Sequence, residues 1–184
     1  MNAQATEIID FWRNAGRARW FAKDAAFDAA IARRYERLHH AAARGEHDDW
    51  AAFADGSLAL VLLFDQVPRN LWRASPHAFA TDPLARRVAA AAVAAGHDQA
   101  FEAALRAFFY LPFAHSENAA DQARSLELNE ALARETGDPG DARWAREHAA
   151  IVARFSRFPH RNRCLGRETT AEEQAFLDGG GFAG

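Results

Sequence analysis

Two Pro-Arg-Asn turns bring together the residue types most able to do chemistry. Asp65-Gln66-Val67-Pro68-Arg69-Asn70 and Arg157-Phe158-Pro159-His160-Arg161-Asn162 each follow an apolar, helix-like run. That placement delivers Arg, Asn and His to the rim of a packed core, where an unpaired polar group is costly. A guanidinium presents a planar fork to a carboxylate or phosphate, and a neighbouring carboxylate can aim it. In the first turn Asp65 would orient Arg69, with Asn70 beside it. The competing reading is a helix-terminal ion pair in which Asp65 and Arg69 satisfy one another. In the second, Arg157, Arg161 and Arg167 with His160 and Asn162 would cradle an anion, and Arg154 and Arg163 add charge. The competing reading there pairs several of these arginines with Asp65, Glu117, Asp121 or Glu172.

A second group surrounds His115-Ser116-Glu117. Adjacent residues cannot face one another as a hydrolytic triad requires, so Ser116 reads as a helix cap and Glu117 as a first-turn complement to the helix dipole. His115 follows an aromatic run and is the candidate for proton transfer. His148 lies three, four and seven residues before Ile151, Val152 and Phe155, on an apolar helix face. It is either a satisfied core histidine or an acid/base at a pocket floor. His39, His40, His47, His77 and His97 fall in polar or terminal stretches and read as solvated. No His-x-x-x-His or Glu-x-x-His spacing shares one helix, so no metal site is expected.

Cys164 is the chain's single cysteine, which excludes an internal disulfide and any multi-cysteine cluster. Arginines around it would favour a thiolate, whereas Leu165 beside it favours inert packing.

The elements that must position these groups are helices. Alanine is abundant and Thr, Ile and Tyr are scarce, which favours helix over strand. Apolar residues recur at threes and fours from Ile8 to Trp12, from Phe27 to Leu38 and from Leu58 to Val61. Gly16, Gly45, Gly96 and the Gly137-Asp138-Pro139-Gly140 turn punctuate them. Expected caps are Asp24, Ser57, Asp82, Asp98, Ser116 and Thr170, the last in a capping box with Glu173. Pro68 predicts a boundary or kink at Val67, and Pro112 predicts the end of the aromatic helix before it. The sum is an all-α chain of about seven to nine short helices in one domain spanning 1–184, with 179–184 as a flexible tail. Stacked pairs of such helices suggest an α-solenoid-like arrangement, although no 34-residue period is visible.

A formal net charge of -3 and a pI near 6.2 argue against a protein that coats nucleic acid. The start of the chain lacks the basic and apolar stretch of a signal peptide, and Leu58–Phe64 is too short to span a bilayer. A cytoplasmic location without membrane attachment is therefore expected.

Four motifs in order carry a family resemblance: the first Pro-Arg-Asn turn, then Ala78-Phe79-Ala80-Thr81-Asp82, then Tyr110-Leu111-Pro112-Phe113-Ala114-His115-Ser116-Glu117, then Arg154 to Asn162 with Leu165-Gly166-Arg167. Together with Phe11-Trp12, Trp20-Phe21 and Phe27-Asp28, they make the chain resemble the bacterial domain-of-unknown-function family 924. The resemblance implies a fold similar to tetratricopeptide-like helical proteins and no established activity. Where it implies a Ser-Thr pair after Gly166-Arg167, this chain has Glu168-Thr169-Thr170.

Two functional expectations follow. One is a polar pocket for an anionic small molecule, clamped by Arg69, Arg157, Arg161 and Arg167, oriented by Asn70, His160 and Asn162, with His115, His148, Asp65 and Glu117 as catalytic candidates and no cofactor. The other is a module binding a protein or peptide partner, its Arg/His/Asp set holding the helices together.

Overall fold

A computed structural model describes residues 2–183; the ends of the expected 1–184 domain, Met1 and Gly184, lie outside the described residues. Those residues contain ten α-helical segments and no strand. They divide into two compact units. One runs through Arg73 and includes His77–Pro112; the other joins Ala74–Pro76 to the chain from Phe113 onward.

In the first unit, α1 (Ala3–Ala15) is capped by Asn2 and stopped at Gly16, whose φ of 74° an L side chain rarely adopts. A single turn, α2 (Arg17–Trp20), precedes α3 (Ala25–Ala43), where the Asp24 carboxylate accepts from the Ala26 and Phe27 amides. Trp12, Trp20, Phe27 and Phe108 interlock, the Trp20 and Phe108 rings 4.9 Å apart and edge to face. Burial of such rings is the main stabilising term here.

The helix α4 (Ala54–Val61) starts earlier than its sequence suggests. Ser57 does not cap it but lies inside, its hydroxyl on the Ala51 carbonyl, and Phe53 occupies the cap position. Position 56 inside this helix needs glycine, because a Cβ there would land on the Trp50 carbonyl oxygen.

Leu62–Gln66 then widens into a π-helical turn that runs straight on into α5 (Val67–Leu71), so α4 and α5 form one rod and the ten segments make nine. Pro68 explains this. It has no N–H, so an α turn leaves the Phe64 carbonyl without its donor and a π turn leaves Leu63. Both carbonyls are taken by side chains: His39 Nδ1–H donates to Leu63 at 2.8 Å and the Thr81 hydroxyl donates to Phe64 at 2.7 Å. The expected boundary at Pro68 is thus a bulge within a continuous rod.

The next helix, α6 (Asp82–Ala94), is preceded by Thr81 at its cap position, with Asp82 already in the first turn. Asp98 belongs to a 3-10 turn, and α7 (Ala103–Ala114) begins later and continues two residues past Pro112.

The second unit is built on a helical hairpin, α8 (Ala119–Thr136) and α9 (Gly140–Phe155), reversed at Gly137, which is left-handed with φ 76°. Asn118, not Ser116, caps α8 through the Ala120 and Asp121 amides. The last helix, α10 (Ala171–Asp178), carries the expected capping box: Thr170 accepts from the Glu173 amide and Glu173 accepts from the Thr170 amide.

Candidate functional site

The first turn forms a buried ionic cluster in the first unit. The π turn carries Asp65 inward to 1% exposure, and Gln66 Nε2 donates to it at 2.6 Å. Arg69, one turn on, lies 3.2 Å from Asp65 and grips Asp82 with both terminal nitrogens, at 2.8 and 3.0 Å. Burial opposes the Arg69 charge, but Asp65 and Asp82 outweigh it and hold its pKa above the usual value. Asn70 turns back on the Gln66 carbonyl and accepts from Arg73. Asp82 is the partner that sequence reasoning missed. Its signal was the Asp-Pro pair, read as a cap.

The second turn organises the second unit in the same way. Glu117 accepts from the Phe158 amide at 2.8 Å and from both terminal nitrogens of Arg167 at 2.7 and 3.0 Å. Burial would raise the Glu117 pKa, yet these donors and the nearby Arg161 charge lower it. Arg157 clasps Glu173 with two bonds of 2.5 and 2.8 Å, and the Asn162 amide adds a third at 3.2 Å. Arg157 foremost holds the Glu173 carboxyl down at about 2. Thr169, at the altered Glu-Thr-Thr stretch, accepts from Asn162 at 3.4 Å. Asp121 receives the Ser116 hydroxyl, and Arg154 pairs with Glu172 on the surface. Glu173 was legible only as a helix cap; its grip on Arg157 spans 16 residues and needs the fold.

Arg161 is buried to 6% exposure. Its guanidinium lies over the Phe158 ring at 4.5 Å and donates to the His115 carbonyl at 2.9 Å. Around it stand the three histidines of this unit. His115 and His148 have ring centroids 6.4 Å apart, and Phe158 lies 5.5 Å from His148 and 5.7 Å from His160. The His148 Nδ1–H donates to the Trp144 carbonyl, which makes Nε2 the basic nitrogen of the neutral ring. Burial, with the positive charge of Arg161 and of the other two histidines, drives the His160 pKa to about 3. His160 is therefore neutral near pH 7.

Three enclosed polar atoms of this stretch have no hydrogen-bond partner among the described residues: His160 Nδ1, Asn162 Oδ1 and Arg167 Nε. Gln122 fixes the backbone from which His115 projects, donating to the Ala114 and Ser116 carbonyls at 2.7 and 2.6 Å. The Ala114 carbonyl is an orphan acceptor at the end of α7, and that of Ser116 lies in the turn that follows. A glutamine in the first turn of the helix after Ser116 is the only sequence signal for this contact.

Of the remaining candidates, Cys164 rests its Sγ on the Arg161 carbonyl. His39 is only 4% exposed rather than solvated, because the π turn needs its donor. Among the described residues, no group of three or more His, Cys, Asp or Glu is placed to hold a metal ion, and no helix is long and apolar enough to cross a membrane. An open groove of about 700 Å³ along α1 and α3 is lined by Glu7, Asp10, Phe11, Phe27 and Arg34.

The fold and these clusters define an all-α protein with buried arginine–carboxylate networks built on two Pro-Arg-Asn turns. The chain belongs to the family of bacterial proteins of unknown function designated DUF924, which it matches over residues 8–181. It is similar to a solved structure described as a protein of unknown function, ATU0120, from Agrobacterium tumefaciens. The two share 51% identity over 96% of this chain and 98% of that one, with a TM-score of 0.91. Among curated proteins none matches.

Proposed function

We propose that the second unit binds an anionic small molecule, a carboxylate or phosphate, at the Arg161–His160–His148–His115 group. The observation that carries this reading is the pair of enclosed, unpartnered nitrogens His160 Nδ1 and Arg167 Nε, both able to donate to an anion and both within one short segment. Buried polar atoms are almost always satisfied, so a cluster of exceptions points to a partner from outside the chain. Charge supports it. Arg157, Arg161 and Arg167 face two carboxylates, Glu117 and Glu173. His148 Nε2 and His115 are the groups suited to move a proton, and neutral His160 can accept or donate a hydrogen bond. Arg157 and Arg167 serve by positioning, since each already grips a carboxylate. Asp65, Arg69 and Asn70 do the same work for the first unit.

A second reading is favoured by those same bidentate pairs: the polar network is structural and the helices present a surface to a protein or peptide. Thermal shift of wild type and Arg161→Lys separates the two. Inorganic phosphate or a dicarboxylate at about a hundred times its Kd should stabilise the wild type by roughly 2.7 kcal/mol. Arg161→Lys should fold and lose most of that shift. If no anion raises the wild-type melting temperature, or Arg161→Lys responds equally, the anion reading fails and the structural one stands.

A further inference from the structure

An aromatic ring already sits among the histidines. Phe182 lies 4.7 Å from His148, 5.2 Å from His160 and 6.3 Å from Trp144, centroid to centroid. It is carried by Gly179-Gly180-Gly181, with Gly180 at φ 79° and the Gly181 amide on the Phe176 carbonyl at 2.9 Å. Gly181 passes so close to the Phe176 ring that a Cβ would lie 2.5 Å from it. Three consecutive glycines lose more backbone entropy on ordering than any other tripeptide. The strap therefore holds its ring weakly, in a partly exposed slot against the Ile151, Val152 and Phe158 cluster.

The walls of that slot are the walls of the proposed anion site. Phe158 carries Arg161 over its face at 4.5 Å and touches both His148 and His160, the two rings against which Phe182 packs. His160 is neutral near pH 7, so an aromatic occupant meets no charge at that wall. Guanidinium and ring slot thus share one aromatic partner.

We infer that the site takes a planar aromatic ring bearing a carboxylate or phosphate, the ring entering by displacing Phe182 and the anionic group pairing with Arg161. The inference rests on the anion reading above and names its ligand class. It makes Phe182 an internal competitor, and the strap a lid that opens as the ligand binds. A ring that replaces another on the same walls gains stacking without creating a cavity.

The test is calorimetric titration of wild type, Phe182→Ala and Gly181→Ala with phenyl phosphate, benzoate, acetate and inorganic phosphate. Removing the competitor should tighten phenyl phosphate or benzoate by about tenfold or more and leave inorganic phosphate and acetate unchanged. Whether phosphate or carboxylate is preferred follows from which aryl anion gains. Gly181→Ala keeps the ring but lifts the strap from Phe176, so it should shift affinity the same way and serves if Phe182→Ala fails to fold. Inorganic phosphate or acetate binding at Arg161, with the aryl anions no tighter in the folded variant than in wild type, overturns the inference and leaves the anion reading intact. No binding of any anion to any folded variant removes both.

Discussion

Arg69 and Asp82 meet through two nearly parallel hydrogen bonds, 2.8 and 3.0 Å long, while the same Arg69 lies 3.2 Å from the buried Asp65. One guanidinium therefore neutralises two carboxylates and ties α5 to the start of α6 within the first unit. Removing it strands both acids in a poorly solvated place. Arg69→Ala is expected to cost about 3–5 kcal/mol. Arg69→Lys keeps the charge without the fork and should cost less. Urea denaturation of the two variants checks the order; an Arg69→Ala protein as stable as wild type would show the cluster contributes nothing.

The π turn makes a prediction about coupling. Thr81→Val deletes the donor to the Phe64 carbonyl and should cost about 1–3 kcal/mol, the penalty of an unsatisfied buried acceptor. Pro68→Ala restores an N–H that can serve the same carbonyl. The double variant should then be less destabilised than the sum of the singles. A double-mutant cycle on denaturation midpoints reads this directly, and strict additivity would contradict the proposed origin of the bulge.

Acid should unfold the protein in two legs. His160 titrates near 3 when folded against 6.5 when free, so between those values the unfolded chain binds a proton that the folded chain refuses. Stability therefore falls as pH drops through that window, by at most about 1.4 kcal/mol per pH unit for one such group. His39, lowered chiefly by burial, acts in the same direction. Glu173, held near 2 against 4.5, adds stability that is complete above 4.5 and is lost as pH falls towards 2. The His160→Gln variant should show a shallower decline between pH 6.5 and 4.5 with the lower leg retained. Identical slopes in that upper window would show that His160 does not titrate as described.

Gly56 has no room for a methyl group, since a Cβ would fall on the Trp50 carbonyl, a backbone atom that cannot rotate away. Gly56→Ala usually helps a helix by about 1 kcal/mol. Here it should destabilise instead, with loss of soluble protein or a melting temperature several degrees lower. An unchanged melting temperature would place α4 differently against Trp50.

Much of the helix plan was legible because its signals are local. Asp24, Gly137 and the Thr170–Glu173 box lie within a few residues of the turns they set, so spacing and residue type suffice. Four cap assignments failed for one reason. Ser57, Asp82, Asp98 and Ser116 are good cap residues, but packing started each helix elsewhere and gave those side chains to Ala51, Arg69, Tyr110 and Asp121. Propensity proposes a boundary; tertiary contacts move it by one to four residues.

The candidate site divides along the same line. From its residues alone this chain is all-helical, places two arginine-bearing turns at the ends of apolar runs, and leaves two roles open for those arginines: clamping an anion, or pairing with Asp65, Glu117, Asp121 or Glu172. Those properties follow from periodicity, charge and the cost of burying an unpaired ion. Only the tertiary structure joins Arg69 to Asp82, Arg157 to Glu173 and Arg167 to Glu117 across 13, 16 and 50 residues, and seats Phe182 against His148. Partner choice among many Arg, Asp and Glu side chains depends on distance and burial. Neither quantity is written in residue order, so both arise only when the helices pack.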